Sequence, residues 1–206
     1  AASLAILGSG VQAKTHLAAM MEVRTITTVR VWSRNAGRAE RFAEKESARH
    51  GITINVSASV QEAVDGSGII CTTTAAPEPI LKGEWIAPGA HINAVGSSGP
   101  STRELDTAAV KSARLYVDRR ESTLNESGDF LFAKKDGAIG DDHIIGEIGE
   151  LIVNMAEGRR DDHDITLFKS LGLAVEDVAS AHYIYEKAIK SGAGTFVELG
   201  GERDDD

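Results

Sequence analysis

Cysteine is almost missing from this sequence: Cys71 is the only one in 206 residues, set inside the apolar run "GIICTT". A lone thiol excludes an internal disulfide and suits a reducing compartment. Basic residues are outnumbered, 22 Lys and Arg against 31 Asp and Glu, and the net charge of −9 argues against nucleic acid, which selects basic surfaces. No apolar run is long enough to cross a membrane and no signal-peptide pattern stands out, so a cytoplasmic chain without a membrane partner is expected. Internal repeats and low-complexity linkers are also lacking. "DDHD" (161–164) sets His163 among carboxylates, but no second ligand cluster has supporting spacing, so no metal is expected. Nor is one needed for folding, because a chain this long buries roughly 70% of its unfolded surface.

What the sequence does have is alternation. Short β-rich runs stand at "LAIL" (4–7), "TTVRVWS" (27–33), "TINVS" (53–57), "GIICTT" (68–73), "AHINAVG" (90–96) and "RLYVD" (114–118). Helix-like stretches lie between them. Asn35 fits as the N-cap of "AGRAERFAEKESARH", which stops at Gly51. Ser59 with Glu62 reads as a capping box, and Asp106 caps "TAAVKSA". Such alternation predicts an α/β fold with a doubly wound parallel sheet, helices covering both faces. Residues 119–165 are the least regular, with an amphipathic "IIGEIGELIVNMAEG" between loops, and a long helix, "AVEDVASAHYIYEKAIKSG", follows.

The first strand runs into Gly8-Ser9-Gly10-Val11-Gln12-Ala13, a G-x-G-x-x-A turn that opens a helix. Each position has a mechanical reason. Gly8 permits the tight turn, Gly10 lets backbone approach a pyrophosphate, and Ala13 lets helix and strand pack closely. The helix N-terminus then faces the diphosphate with free N–H groups and a favourable dipole.

A further absence decides the cofactor. A turn of this kind is usually followed by an acid at the end of the second strand, which accepts the ribose hydroxyls. Here that strand ends in Ser33, Arg34 and Asn35, with no carboxylate. Ser33 and Arg34 can hydrogen-bond a 2′-phosphate that an acid would repel, and Arg38 lies one helical turn beyond. NADP(H) is therefore expected over NAD(H). The loop "NAVGSSGPS" (93–101) follows another buried strand and carries the small residues that a doubly wound sheet sets beside its cofactor.

Taken together, "LAILGSGVQA", "VRVWSRN", "GEWIAPGAHINAVG", "RELD", "ESGD" and "FKSLGLAVED" give a sequence that resembles the ornithine cyclodeaminase/mu-crystallin family, nearest its mu-crystallin (ketimine reductase) branch. The resemblance implies a Rossmann-type NADP-binding domain over residues 1–170. A C-terminal helix and an acidic tail that frays would fill 171–206. It also implies that Val11 and Gln12 sit in the phosphate turn and that Thr74 meets the cofactor's middle. Val95, Gly96 and Ser97 would lie near the nicotinamide ribose, and Ser170 near the ring. Ser98 and Leu171 would face a small imino or amino acid substrate.

Two departures from the family pattern matter. Cyclodeaminases of this family are expected to hold an aspartate where this chain has Ser98, the nearest candidate for a catalytic residue. A serine without an activating partner is a poor general acid or base. Imine reduction by hydride transfer is therefore expected over conversion of ornithine to proline with loss of ammonia. The family's N-terminal substrate and dimerisation domain is also not matched. The expectation is thus a cofactor-binding part, either of a reductase that forms a homodimer or of a non-catalytic NADP(H)-binding protein. The last helix, with Tyr183 and Tyr185, is expected to show an apolar face.

Overall fold

The computed structural model describes residues 1–197. Its first compact unit runs from Ala1 to Leu171, and a second begins at Gly172. The expected acidic tail, "GERDDD", lies outside the described residues.

The chain opens with strand β1 (Ser3–Leu7), helix α1 (Val11–Val23), strand β2 (Thr28–Trp32), helix α2 (Ala36–His50) and strand β3 (Ile54–Val56). It continues through α3 (Val60–Val64), β4 (Ile69–Thr72), β5 (His91–Ala94), α4 (Thr107–Ser112) and β6 (Arg114–Val117). Two short helices follow, α5 (Arg120–Glu126) and α6 (Gly128–Lys135), then β7 (Ile144–Glu147), α7 (Ile148–Ile152) and β8 (Thr166–Lys169).

Among the described residues the eight strands form one sheet in the order β3-β2-β1-β4-β5-β8-β6-β7. Every pairing is parallel. This is the expected doubly wound α/β architecture. Strands buried on both faces read as continuous apolar runs, and β4, "IICT", is buried at every residue. One core layer joins Leu4, Ile6, Val31 and Cys71 to Leu17 of α1 and Phe42 of α2. The other joins Leu7, Ile70, Ile92 and Leu167 to Val64, Val110 and Phe130 on the opposite helices.

Local chemistry sets the helix ends. Asn35 Oδ1 accepts from Arg38 N at 3.0 Å, and α2 closes on Gly51 in the left-handed region at φ 66°. Asp106 accepts from Ala109 N and starts α4. Ser59 accepts from Glu62 N, whereas the Glu62 carboxylate returns to Ala58 N rather than to Ser59, one residue away from a strict capping box.

The stretch 144–158 differs from its sequence pattern. "IIGE" is strand β7 and only "IGELI" is helical, because Glu147 and Glu150 form a capping box that starts a new helix there. β8 enters between β5 and β6 and so brings Lys169 level with Ala94 and Val117.

The second unit consists mainly of α8 (Ala174–Ser191), closed by Gly192 in the left-handed region. Val175, Val178, Tyr183, Tyr185 and Ile189 are exposed on it. No helix among the described residues is long and apolar enough to cross a membrane.

Candidate functional site

From β1 the chain winds outward through β2 and β3, then returns to add β4 and β5 on the other side. The loops after β1 and β4 therefore part at the carboxyl end of the sheet, where doubly wound folds open a ligand crevice. A cavity of about 530 Å³ lies there. Seven of the predicted site residues line it: Gly8, Gly10, Ser33, Arg34, Asn35, Arg38 and Thr74. Ser9, Trp32, Thr73 and the segment 75–80 also line it.

Gly8 has φ +126°, and a Cβ there would stand 2.5 Å from Thr73 Oγ1 and 2.7 Å from Thr73 O, so both backbone and space demand glycine. Gly10 is different. It caps α1 without a side-chain hydrogen bond, and a Cβ built on it meets nothing within 4 Å. The space in front of the α1 N-terminus is open, as close approach of a phosphate requires. Val11 and Gln12 are exposed on the first turn of α1.

At the end of β2, Ser33 Oγ accepts from Ser9 Oγ at 3.2 Å, tying the strand end to the glycine turn. Arg34 and Arg38 are exposed, and neither side chain has a hydrogen bond or ion pair among the described residues. The half-buried Lys14 and the exposed Arg41 and Lys45 likewise have no side-chain hydrogen bond or ion pair among the described residues, and with Arg38, Val11, Phe42 and Glu46 they line an adjoining cleft of about 370 Å³. Among the described residues these five cations have no ion pair; Glu78 lines the larger cavity, and the buried Glu46, beside Arg49 and His50, lines the cleft.

The inner end of the crevice is built in the opposite way. Val95, Gly96, Ser97 and Ser98 follow β5, and Ser170 and Leu171 follow β8; none of them lines the 530 Å³ cavity. Gly96 packs against Thr74 so closely that a Cβ would sit 2.1 Å from Thr74 O. Ser97 is buried and its hydroxyl donates to Thr102 O at 2.6 Å, whereas Ser98 is exposed. Ser170 N donates to Ala94 O, and Leu171 N donates to Asp118 Oδ2.

Behind these loops are three buried charged side chains that the sequence reading did not single out. The Glu104 carboxylate accepts from Thr74 N and Thr74 Oγ1 on one oxygen, and from Thr72 Oγ1 and Gly96 N on the other. Burial pushes its pKa up, against the opposing pull of the hydrogen bonds from Thr74 and Thr72. Asp129 Oδ1 accepts from Glu104 N and Leu105 N, and its Oδ2 lies 3.0 Å from Lys169 Nζ. Lys169 Nζ also donates to Ser97 O at 2.5 Å. The available signal was a lysine within "TLFKS" and acids within "RELD" and "ESGD", motifs whose chemical role the sequence leaves open.

His91 and His143 serve structure. His91 bonds Thr166 and Asn93, and His143 Nε2 lies 2.9 Å from Val110 O. Among the described residues no group of three His, Cys, Asp or Glu is placed to hold a metal ion.

The profile of the ornithine cyclodeaminase/mu-crystallin family matches residues 1–192. The mouse (Mus musculus) ketimine reductase mu-crystallin is 46% identical over 185 residues, which is 89% of this chain and 54% of that protein. The structure of Thermococcus litoralis Delta(1)-pyrroline-2-carboxylate reductase, in complex with NADH and L-proline, superposes with a TM-score of 0.91 at 45% identity, over 95% of this chain and 60% of that one. An archaeal alanine dehydrogenase dimer with bound NAD gives 0.87 at 33% identity, over 97% of this chain and 61% of that one. The chain therefore spans little more than half the length of the relatives it matches.

Proposed function

The chain belongs to the ornithine cyclodeaminase/mu-crystallin family, and we propose that it holds NADP(H) for the reduction of an imine, either a ketimine or a cyclic imino carboxylate. The single observation that carries the cofactor choice is the end of β2. Ser33, Arg34 and Asn35 stand where a ribose-binding acid would otherwise be, and the Arg34 and Arg38 side chains have no partner among the described residues. Arginine's planar fork suits a 2′-phosphate, which a carboxylate at that position would exclude. The related structures hold NADH and NAD; the charge at this corner favours the phosphorylated form for this chain.

The residues present fit the cofactor. Gly8 makes the turn, the open face of Gly10 admits the diphosphate, and the α1 N-terminus offers N–H groups to it. When bound, the cofactor supplies a hydride from its nicotinamide. The chain's own work is to hold the phosphates, fix the cofactor's middle against Thr74 and its ring end against the 95–98 loop, and keep Ser170 and Leu171 beside the ring. Ser98 is exposed, and no titratable side chain bonds it among the described residues, which favours hydride transfer over proton-driven cyclodeamination. Relatives that reduce ketimines or pyrroline-2-carboxylate support a small imino acid as the substrate of the whole protein, and a dimeric relative supports a homodimer.

Calorimetric titration with NADPH and NADH at low ionic strength tests this reading. NADPH should bind at least about tenfold tighter, roughly 1.4 kcal/mol, and Arg34→Ala should erase most of that margin. Equal affinities would overturn the assignment of Ser33 and Arg34.

A further inference from the structure

Glu104 lies between β5 and α4, well away from the glycine turn in sequence, and it is fully buried. An ionised carboxylate has about four acceptor sites. Here four donors fill them, at 2.6 and 2.7 Å from Thr74 and at 2.7 and 2.8 Å from Thr72 and Gly96. The donors come from the carboxyl ends of the neighbouring strands β4 and β5, beside the crevice that opens between the loops after β1 and β4. Glu104 thus joins the strand ends where the ladder of backbone bonds runs out.

The same loop is gripped from a second side. Glu104 N donates to Asp129, Asp129 pairs with Lys169, and Lys169 donates to the carbonyl of Ser97. Gly96 gives its N–H to a carboxylate while Ser97 gives its carbonyl to an ammonium. Opposite charges therefore pull on neighbouring backbone groups, and the chain of contacts closes on itself within two residues. Asp129 Oδ2 meets Lys169 as an ion pair and has no hydrogen bond among the described residues, so moving either partner would strand a buried charge in a medium of low dielectric, and this makes the network stiff.

We propose that Glu104, Asp129 and Lys169 are positioning residues that set the backbone of Thr74 and Gly96–Ser97, and with it the alignment of the cofactor's nicotinamide end. This inference rests on the cofactor reading above, and it assigns these residues no contact with the phosphates. They act through Thr74 and the loop after β5, on the nicotinamide side of the diphosphate.

The test compares NADPH with 2′-phospho-ADP-ribose, the same ligand without its nicotinamide, by calorimetry on the intact chain and three variants. Wild type should bind NADPH more tightly than the fragment. Glu104→Gln keeps the shape but turns an N–H2 toward an existing donor, and Lys169→Met removes the pull on Ser97. Each should weaken NADPH about tenfold and leave the fragment within about twofold. Thr72→Val deletes one donor to Glu104 at nearly constant volume, and should weaken NADPH about threefold if the larger changes prevent folding. Fluorescence of the bound reduced nicotinamide should shift in the same variants. Equal losses for both ligands would mean a purely structural network and overturn the proposal, as would a Thr72→Val chain with an unchanged ratio. A wild type that binds both ligands alike would overturn it while leaving the cofactor reading intact. A wild type that binds neither would remove both, and only that outcome points to the phosphate corner.

Discussion

The two ends of the crevice handle charge in opposite ways. Around Ser33, five cations are exposed or half-buried and have no partner among the described residues. Beneath Thr74 and Gly96, two carboxylates and an ammonium are buried, and each is held by the others or by backbone. Water explains the difference. An exposed cation keeps its hydration whether or not a partner is near, so leaving it unpaired costs little. A buried charge keeps nothing unless the fold supplies the partner. The outer corner is thus free to accept an incoming anion, and the inner end has its geometry fixed before any ligand arrives.

The comparison breaks first, if it breaks, on stability. Lys169→Met leaves the Asp129 carboxylate buried without its cation, which should cost about 3–5 kcal/mol in urea unfolding followed by circular dichroism. Arg38→Ala in the outer corner should stay within about 0.5 kcal/mol of wild type. A Lys169→Met chain less than about 1 kcal/mol below wild type would show that the inner pair is dispensable.

The glycines give a second contrast, of intermediate size. Gly96→Ala drives a Cβ to 2.1 Å from Thr74 O, so backbone must move, and about 3 kcal/mol of stability should be lost. Gly10→Ala meets nothing within 4 Å. It should change stability by less than about 1 kcal/mol while the new methyl group cuts NADPH affinity at least about tenfold. Melting and titration of the same two proteins would separate the cases, and a Gly10→Ala chain that binds like wild type would remove the phosphate from the turn.

Salt reaches the two ends differently as well. Raising ionic strength from about 0.05 to about 0.5 M screens exposed charges, so NADPH affinity should fall about fivefold. Arg34→Ala should flatten that slope, whereas Thr72→Val should lower affinity and leave the slope as it was. If both variants flattened it, the separation into an outer electrostatic and an inner geometric end would be wrong.

How much of this could be read from sequence follows the same division. The outer corner is local: turn, strand end and helix cap all lie between Gly8 and Asn35, so G-x-G-x-x-A and "SRN" expose it directly. The first six strands are equally legible, since each is a short apolar run bounded by turn residues. The inner network is not local. Glu104 meets residues 30 and 32 positions earlier, and Lys169 reaches one 72 positions away. Those meetings depend on β8 entering the sheet between β5 and β6, and nothing in strand periodicity encodes that order. "IIGEIGELIVNMAEG" misleads for another reason. Its apolar spacing suits one helix, but the capping pair of Glu147 and Glu150 divides it into strand and helix.

The smallest effect concerns a buried and a half-buried group with no counter-charge among the described residues, which the same physics keeps neutral. Burial pushes the Cys71 thiol up to about 12, outweighing its hydrogen bond from Asn93. His91 is held below its ordinary value of 6.5, first by burial and further by Arg159 and Arg24, against an opposing hydrogen bond to Asn93. For a histidine lowered in the fold, the unfolded chain takes up its proton first on acidification. The stability it contributes is therefore fully present above about pH 6.5 and lost as the pH falls through the folded value. Urea unfolding between about pH 7 and about pH 5 should show part of the acid loss disappearing in His91→Gln, which keeps hydrogen-bonding atoms near Thr166 and Asn93. An unchanged pH profile would mean that His91 takes up its proton at no cost to the fold. Buried groups would then not need counter-charges here, and the contrast between the two ends of the crevice would lose its physical basis.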